Sequence, residues 1–238
     1  MFFISLNALI MRTILIMPIL FFFLSCCDKV CYTVSGTIEG AAEGDSVILF
    51  YSSNGERQSL AGTTTIKEGE FAFEGETDAG GIYYIGYEKG DTPLYALFFL
   101  EEGDIRADIT RERSLFYGTP NNERNRICED TLAHYLQALS AIENRFYTDS
   151  LSAEEMTTLG IKGYETQKAL VEYIHKSVED NSDNLFGLFM LVVYNGFFEP
   201  QEFSRLLKMV PANLINRSNN SLYDIAVEIE LQNSKRVI

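Results

Sequence analysis

The chain has 238 residues, enough for one large domain or two small ones. Its 34 acidic and 19 basic residues give a formal charge of −15, which disfavours nucleic-acid binding because phosphates require clustered Lys and Arg. Hydrophobic residues make up 46% of the chain, which is typical of a globular protein and excludes a disordered one. Four cysteines are too few for a disulfide scaffold, and two histidines exclude a site built from three.

Residues 1–25 have the pattern of a signal peptide. Arg12 is followed by the apolar run 13–24, which is shorter than the roughly 20 apolar residues that span a bilayer. Because Met11 directly precedes Arg12, translation starts either at Met1 or at Met11.

The apolar run ends in Phe23-Leu24-Ser25-Cys26-Cys27, which resembles a bacterial lipobox. Ser25 before the cysteine favours Cys26 as the lipidated residue, and Cys27 is the alternative. The resemblance implies cleavage after residue 25, a lipidated tether over residues 26–30, and several acyl chains that hold the protein at a membrane. We therefore expect a lipid-anchored protein of the cell envelope, at the outer membrane on its periplasmic or surface side. A plain secreted protein and an uncleaved anchor helix are the alternatives.

Residues 31–118 are predicted to form an antiparallel β-sandwich or open barrel. Alternating or apolar runs are separated by turn signals rich in Gly, Asp, Asn and Glu, at a spacing typical of roughly eight short strands. The predicted strands are 32–38, 45–51, 62–66, 70–75, 82–87, 94–100, 105–109 and 115–117.

Residues 119–238 are predicted to be helical, which makes the fold class α+β. Apolar residues recur at helical spacing from residue 121, and further helices are expected to begin near residues 152, 200 and 221. The segment 185–194 is apolar on all sides and is predicted to be the buried helix of this half. The helix of residues 221–233 carries an apolar stripe, which we expect to fold back onto that segment.

Several motifs together resemble one protein family. They are the lipobox and the segments 34–38, 66–75, 99–105 and 117–123. Their order and spacing are similar to the N-terminal domain of unknown function in thiol-disulfide interchange lipoproteins of the Bacteroidetes type. The resemblance implies a β-domain, a helical segment and then a thioredoxin-like domain, so a thioredoxin-like envelope protein is a possible partner. This chain has no Trp and no Cys-x-x-Cys, so we expect that last domain to be missing or separately encoded.

The remaining cysteines are predicted to be structural. Cys31 could pair with Cys27 in an oxidising envelope, but a tether cysteine at the edge of the first strand is the favoured interpretation. Cys128 lies in the first predicted helix, where a lone cysteine is usually a small core residue rather than a redox group.

Metal sites are disfavoured. His134 and His175 lie on different predicted helices. Glu172 and Glu179 flank His175 at helical spacing, so these three side chains could form a weak surface metal site. A solvated helix face is the favoured interpretation. The turn at residues 101–104 is acidic enough to attract calcium, but it lacks the alternating pattern of a calcium loop, so a solvated hairpin is favoured.

Tyrosines in two neighbouring predicted strands offer a stacking surface for sugars or peptides. Alternation places Tyr83 and Tyr87 on one face and Tyr84 on the other, with Tyr95 in the next strand. A sandwich core built from aromatic residues is the favoured interpretation.

The sequence contains no recognisable catalytic, cofactor-binding or metal site, so we expect no cofactor and no enzymatic activity. The favoured function is a non-catalytic, lipid-anchored interaction module of the cell envelope. One alternative is a component of a thiol-disulfide oxidoreductase system, and the other is a glycan-binding lipoprotein.

Overall fold

The computed structural model describes residues 29–236 apart from 54–55, 78–79, 90–91, 213 and 215–220. The predicted signal peptide, Cys26 and Cys27 lie outside the described residues. Within the described part of the chain, no helix combines the length and the hydropathy needed to cross a membrane.

Eight strands form the N-terminal half. They are β1 Val30–Ile38, β2 Ser46–Ser53, β3 Glu56–Thr65, β4 Phe71–Thr77, β5 Gly81–Tyr87, β6 Leu94–Leu100, β7 Gly103–Ile109 and β8 Ser114–Tyr117. One four-stranded sheet has the order β4-β1-β7-β8 and the other the order β3-β2-β5-β6. The α+β class is therefore confirmed, with two sheets followed by helices.

Two details of the sheets differ from the predictions. β1 and β7 are parallel, because the chain re-enters the first sheet at the end where β1 begins, with Tyr32 opposite Gly103. β3 begins at Glu56 rather than near residue 62, since its polar first half is held by pairing with β2. Neither pairing is visible in the hydropathy of a single strand.

Alternating side chains of both sheets fill the core of the sandwich. Val34, Leu49, Phe71, Tyr83 and Ile105 are all fully buried there. The spacing of two along each strand brings these residues to the inner face, as the alternation predicts.

Helices form the C-terminal half. They are α1 Pro120–Thr148, α2 Ala153–Asp180, α3 Leu185–Val193, α4 Pro200–Leu207 and α5 Ser221–Arg236, with a 3-10 turn at Asn195–Phe197. Ser152 and Glu155 form the capping box at the start of α2. α3 is buried on nearly every side, as predicted.

The prediction that the last helix folds back onto the segment 185–194 is confirmed in part. Leu222 and Ala226 of α5 are buried in the same cluster as the side chains of α3. Ile225 and Leu231 remain exposed. Leu231 comes nine residues after Leu222 and therefore lies on the opposite side of the helix.

A polar junction joins the two halves. β6 is an edge strand of its sheet, and the side chain of Asn122 in α1 pairs with the open edge of Phe99. Asn122 Oδ1 accepts from the Phe99 amide at 3.0 Å, and Asn122 Nδ2 donates to the Phe99 carbonyl at 2.7 Å and to Thr119 Oγ1 at 2.8 Å. Asn122 is 2% exposed, so these bonds form away from water.

We expect Asn122→Ala to lower the free energy of unfolding by about 2–4 kcal/mol, because two buried backbone groups of Phe99 lose their partner. Urea unfolding of the purified protein measures this change. Asn144→Ala is the matched control, since Asn144 is exposed on the same helix. Equal effects of the two substitutions would contradict the role of the junction.

Candidate functional site

Cys31 is exposed on β1, opposite Glu76 of β4. The two residues border a shallow cavity of about 560 Å³ that Glu74 and Asp104 also line. Glu76 Oε1 lies 2.6 Å from the ammonium of Lys29, so this carboxylate has a cationic partner. Pairing of Cys31 with a cysteine of the tether stays a prediction, because that partner lies outside the described residues.

Cys128 is a core residue, as predicted. Its Sγ lies 3.7 Å from Met190 Sδ, and burial raises the pKa of the thiol to about 11. A thiol with so high a pKa carries little thiolate at neutral pH and is a poor nucleophile.

His175 joins α2 to the segment that follows α3, which corrects the prediction of a solvated helix face. Its Nε2 donates to the Phe197 carbonyl at 2.7 Å, and its Nδ1 lies 3.2 Å from Glu202 Oε1. The ring stacks on Phe198 with centroids 4.5 Å apart. Sequence spacing missed these contacts because every partner comes from a later part of the chain.

The carboxylates of the weak metal hypothesis line the same cavity as His175, but each has a cationic partner of its own. Glu179 pairs with Arg205 of α4, and Glu172 lies 3.7 Å from Lys168. His134 is exposed on α1. Among the residues described, no group of His, Cys, Asp and Glu is arranged to hold a metal ion.

The acidic turn at residues 101–104 is not simply a solvated hairpin, and this prediction was wrong for Glu101. Its carboxylate accepts hydrogen bonds from the Asn121 amide and from Asn121 Nδ2, both at 2.7 Å. A carboxylate at this position satisfies the unpaired amides at the N-terminus of α1 and complements the helix dipole. Asp104 instead accepts from Thr33 Oγ1 across the first sheet.

The four predicted tyrosines divide between core and surface. Tyr83 and Tyr87 are buried in the sandwich, as the core interpretation predicts. Tyr84 stacks on Phe50 with centroids 5.3 Å apart on the outer face, and Tyr95 meets the same ring edge-on at 6.0 Å. Only Tyr95 among the four is largely exposed, so the stacking surface is smaller than the sequence suggests.

α1 runs along β8 and continues past the sandwich. α1 starts at the end of the sandwich where β1 begins. At the opposite end, beside the turn between β7 and β8, Arg113 Nη2 donates to Asp130 Oδ1 at 2.6 Å. The eighteen residues that follow Asp130, up to Thr148, add about 27 Å at 1.5 Å per residue. The C-terminal part of α1 therefore projects beyond the β-sandwich.

The projecting part is a two-helix hairpin, which we call the arm and define as residues 140–166. Within the arm only Ile142 and Leu159 are buried, and the Cβ position of Gly163 approaches Ile142 to 3.7 Å. The buried cluster of α3, α4 and α5 includes neither Ile142 nor Leu159. The arm is thus held together by a short seam between α1 and α2.

Large apolar side chains are exposed on both helices beyond the end of α3. Leu136 and Tyr147 are three turns apart on one flank of α1, and Met156, Tyr164 and Val171 recur along one flank of α2. Tyr164 and Val171 also line a cavity of about 780 Å³ whose described lining residues all lie on α2, with His175 among them. Tyr147 is 82% exposed and Tyr164 is 70% exposed.

α3 packs near the start of the helix pair. Phe186 of α3 lies beside Asn121 near the start of α1, and Met190 lies beside Cys128 two turns further along. α3 then ends at Val193. Sequence reasoning missed the exposed face of the arm because the same apolar spacing also serves a buried face.

Among the carboxyl groups that the structure describes, Asp45 has the pKa most displaced from its ordinary value. It lies at the rim of the sandwich, away from the first turn of α1. It accepts from Lys89 Nζ at 2.5 Å, from the Ala42 amide at 2.9 Å and from Tyr87 Oη at 2.7 Å. These bonds, led by that from Lys89, lower the pKa of Asp45 to about 2. Burial and the Asp45 hydrogen bond raise the pKa of Tyr87. The arrangement is structural, because it fastens the loop before β2 to the end of β5.

Residues 32–125 match the family described as Domain of unknown function (DUF4369), so the chain carries a domain of that family in about two fifths of its length. The match begins in β1 and ends in α1, and it includes both Glu101 and Asn122. No curated protein and no solved structure matches the chain.

We expect Asp45→Asn to destabilise the protein at neutral pH and to do so less in acid. The folded pKa of Asp45 lies below the unfolded value of about 3.9, so its contribution is present above about pH 4 and is lost as the pH falls towards about 2. The urea unfolding midpoints of the wild type and the variant, at about pH 6 and about pH 3, measure the difference in stability between them, which should be smaller in acid. Glu154→Gln, on the exposed face of α2, is the control. A stability difference between wild type and Asp45→Asn that grows in acid would refute the lowered pKa of Asp45.

Proposed function

We propose that this protein is a non-catalytic interaction module held at the cell envelope by a lipid on Cys26. The observation that carries the proposal is the exposure of large apolar side chains on the helical half, led by Tyr147 and Tyr164. Exposed apolar surface of this kind marks sites where proteins meet partners. Cys128 and His175 are engaged in contacts that hold the helices together.

A lipid on Cys26 would also orient the domain. Val30 is the fourth residue after Cys26, so the start of β1 would lie within about 14 Å of the lipidated residue. β1 is held between β4 and β7 and therefore does not peel away from its sheet. The start of α1 lies at this same end of the sandwich, and the arm points to the opposite side, away from the membrane.

Cys26→Ala is expected to abolish acyl labelling and to release the protein from membranes, because the thioether to the lipid can no longer form. Metabolic labelling with an alkyne fatty acid, followed by membrane fractionation, measures both effects. Cys27→Ala is the matched control and should change neither. Labelling that survives Cys26→Ala would move the site to Cys27 or exclude lipidation altogether.

A second candidate function is a component of a thiol-disulfide oxidoreductase system with a separately encoded thioredoxin-like partner. The DUF4369 domain supports it, because the match includes most of the motifs on which the resemblance to those lipoproteins rests.

The two functions predict different neighbours in the genome. An adjacent downstream reading frame that encodes a thioredoxin-like protein with Trp-Cys-x-x-Cys is expected for the second candidate. Unrelated genes at that position would contradict it and leave the interaction module. Insulin reduction by this protein alone is expected to be at background under both, and clear turnover would refute a non-catalytic role.

A further inference from the structure

The ring of His175 faces two hydrogen-bond acceptors, one on each of its nitrogens. Its Nε2 donates to the Phe197 carbonyl at 2.7 Å, and its Nδ1 lies 3.2 Å from Glu202 Oε1. A neutral imidazole has one N–H group and one lone pair, whereas the imidazolium has two N–H groups. Only the protonated ring therefore donates to both acceptors at once.

We propose that His175, the Phe197 carbonyl and Glu202 form a pH-sensitive clasp, which holds α4 against α2 while the ring is protonated and releases Glu202 when the ring is neutral. This inference goes beyond the proposed function, because it concerns regulation. It rests on the envelope location only for exposure to the pH of the surroundings, and the clasp itself is independent of the lipid.

The position of the ring suits this role. The ring stacks on Phe198 with centroids 4.5 Å apart and an angle of 18° between the planes, and Phe198 is buried. The side chains of His175 and Glu202 are each 28% exposed, so protons reach the pair from solvent. When the ring is neutral and its proton stays on Nε2, the Nδ1 lone pair faces a carboxylate oxygen, and no hydrogen bond joins these two acceptors.

The surrounding charges leave Glu202 dependent on His175. Most of the other charged side chains near the ring on α2 and α4 have a partner of opposite sign, and the pairs are Glu179–Arg205, Glu172–Lys168 and Lys176–Asp180. Glu199, just before α4, is exposed. Neither α3 nor the 3-10 turn carries an ionisable side chain, and burial raises the pKa of Tyr194, which lies between them. Among the residues that the structure describes, Glu202 has no cationic partner other than His175.

The direction of the pH dependence follows from which form of the ring the clasp binds. Histidine changes its charge between about pH 5 and about pH 8, and a glutamate carboxylate is ionised throughout that range. Because the closed clasp binds the protonated ring, its contribution to stability is present in acid and is lost as the pH rises and the ring loses its proton.

A double-mutant cycle of His175→Phe and Glu202→Gln tests the clasp in urea unfolding, since phenylalanine keeps a ring on Phe198 but has no N–H group. At about pH 5.5 the two side chains are expected to be coupled by about fivefold in the unfolding equilibrium constant, the upper range for a partly exposed ion pair. At about pH 8.5 the coupling should fall below about twofold.

The matched control is the cycle of Glu179→Gln and Arg205→Gln. This ion pair joins the same two helices, but its guanidinium keeps its charge at both pH values. The coupling in the control cycle should therefore be the same in acid and in base. A coupling between His175 and Glu202 that is equal at the two pH values would overturn the proposal.

Long-range ¹H–¹⁵N spectra of the wild-type protein give a second readout that does not depend on any variant remaining folded. The chain has two histidines, so His134→Gln identifies the signals of His175. Both ring nitrogens should carry a proton at about pH 5.5, and at about pH 8.5 the remaining proton should be on Nε2. A neutral ring with its proton on Nδ1 would overturn the proposal. Because Cys26→Ala does not touch the clasp, failure of the lipid anchor and failure of the clasp are separate results.

Discussion

The structure depends on one polar contact, the pairing of the Asn122 side chain with the backbone of Phe99. An edge strand leaves amides and carbonyls unpaired, and burying them without partners is costly. Asn122 supplies a donor and an acceptor in the place of a neighbouring strand, so β6 is closed by a helix. Glu101, two residues after Phe99, in turn caps the helix that carries Asn122. The strand end and the helix start thus satisfy each other.

This reciprocal arrangement fixes the direction of α1 and therefore the position of the helices that follow. α1 must leave the sandwich alongside β8, and the Arg113–Asp130 ion pair holds it there. α2 returns along α1, and α3 packs against both helices next to the junction, where Phe186 meets Phe99. The match to the domain family ends in α1 just past Asn122, so the matched residues include both partners of this contact.

The groups that resemble reactive centres in the sequence serve this packing. The buried thiol of Cys128 faces a methionine of α3, and His175 fastens α2 to the turn after α3. Packing is therefore concentrated near the sandwich. On the arm, Phe146, Tyr147, Met156, Ile161 and Tyr164 are exposed.

The sequence by itself determined the local elements, because alternation, helical spacing and capping residues act over a few positions. The strands around Phe71 and Tyr83, the Ser152 cap and the buried helix at 185–194 follow from such patterns. Tertiary structure alone decided the parallel pairing of β1 with β7, the capping role of Glu101 and the contacts of His175. Their partners lie far away along the chain, where no local spacing reports them. The exposed side chains of the arm show the same division: the apolar periodicity of α1 and α2 predicts helices with packed faces, but where a packed face ends depends on the length and placement of α3.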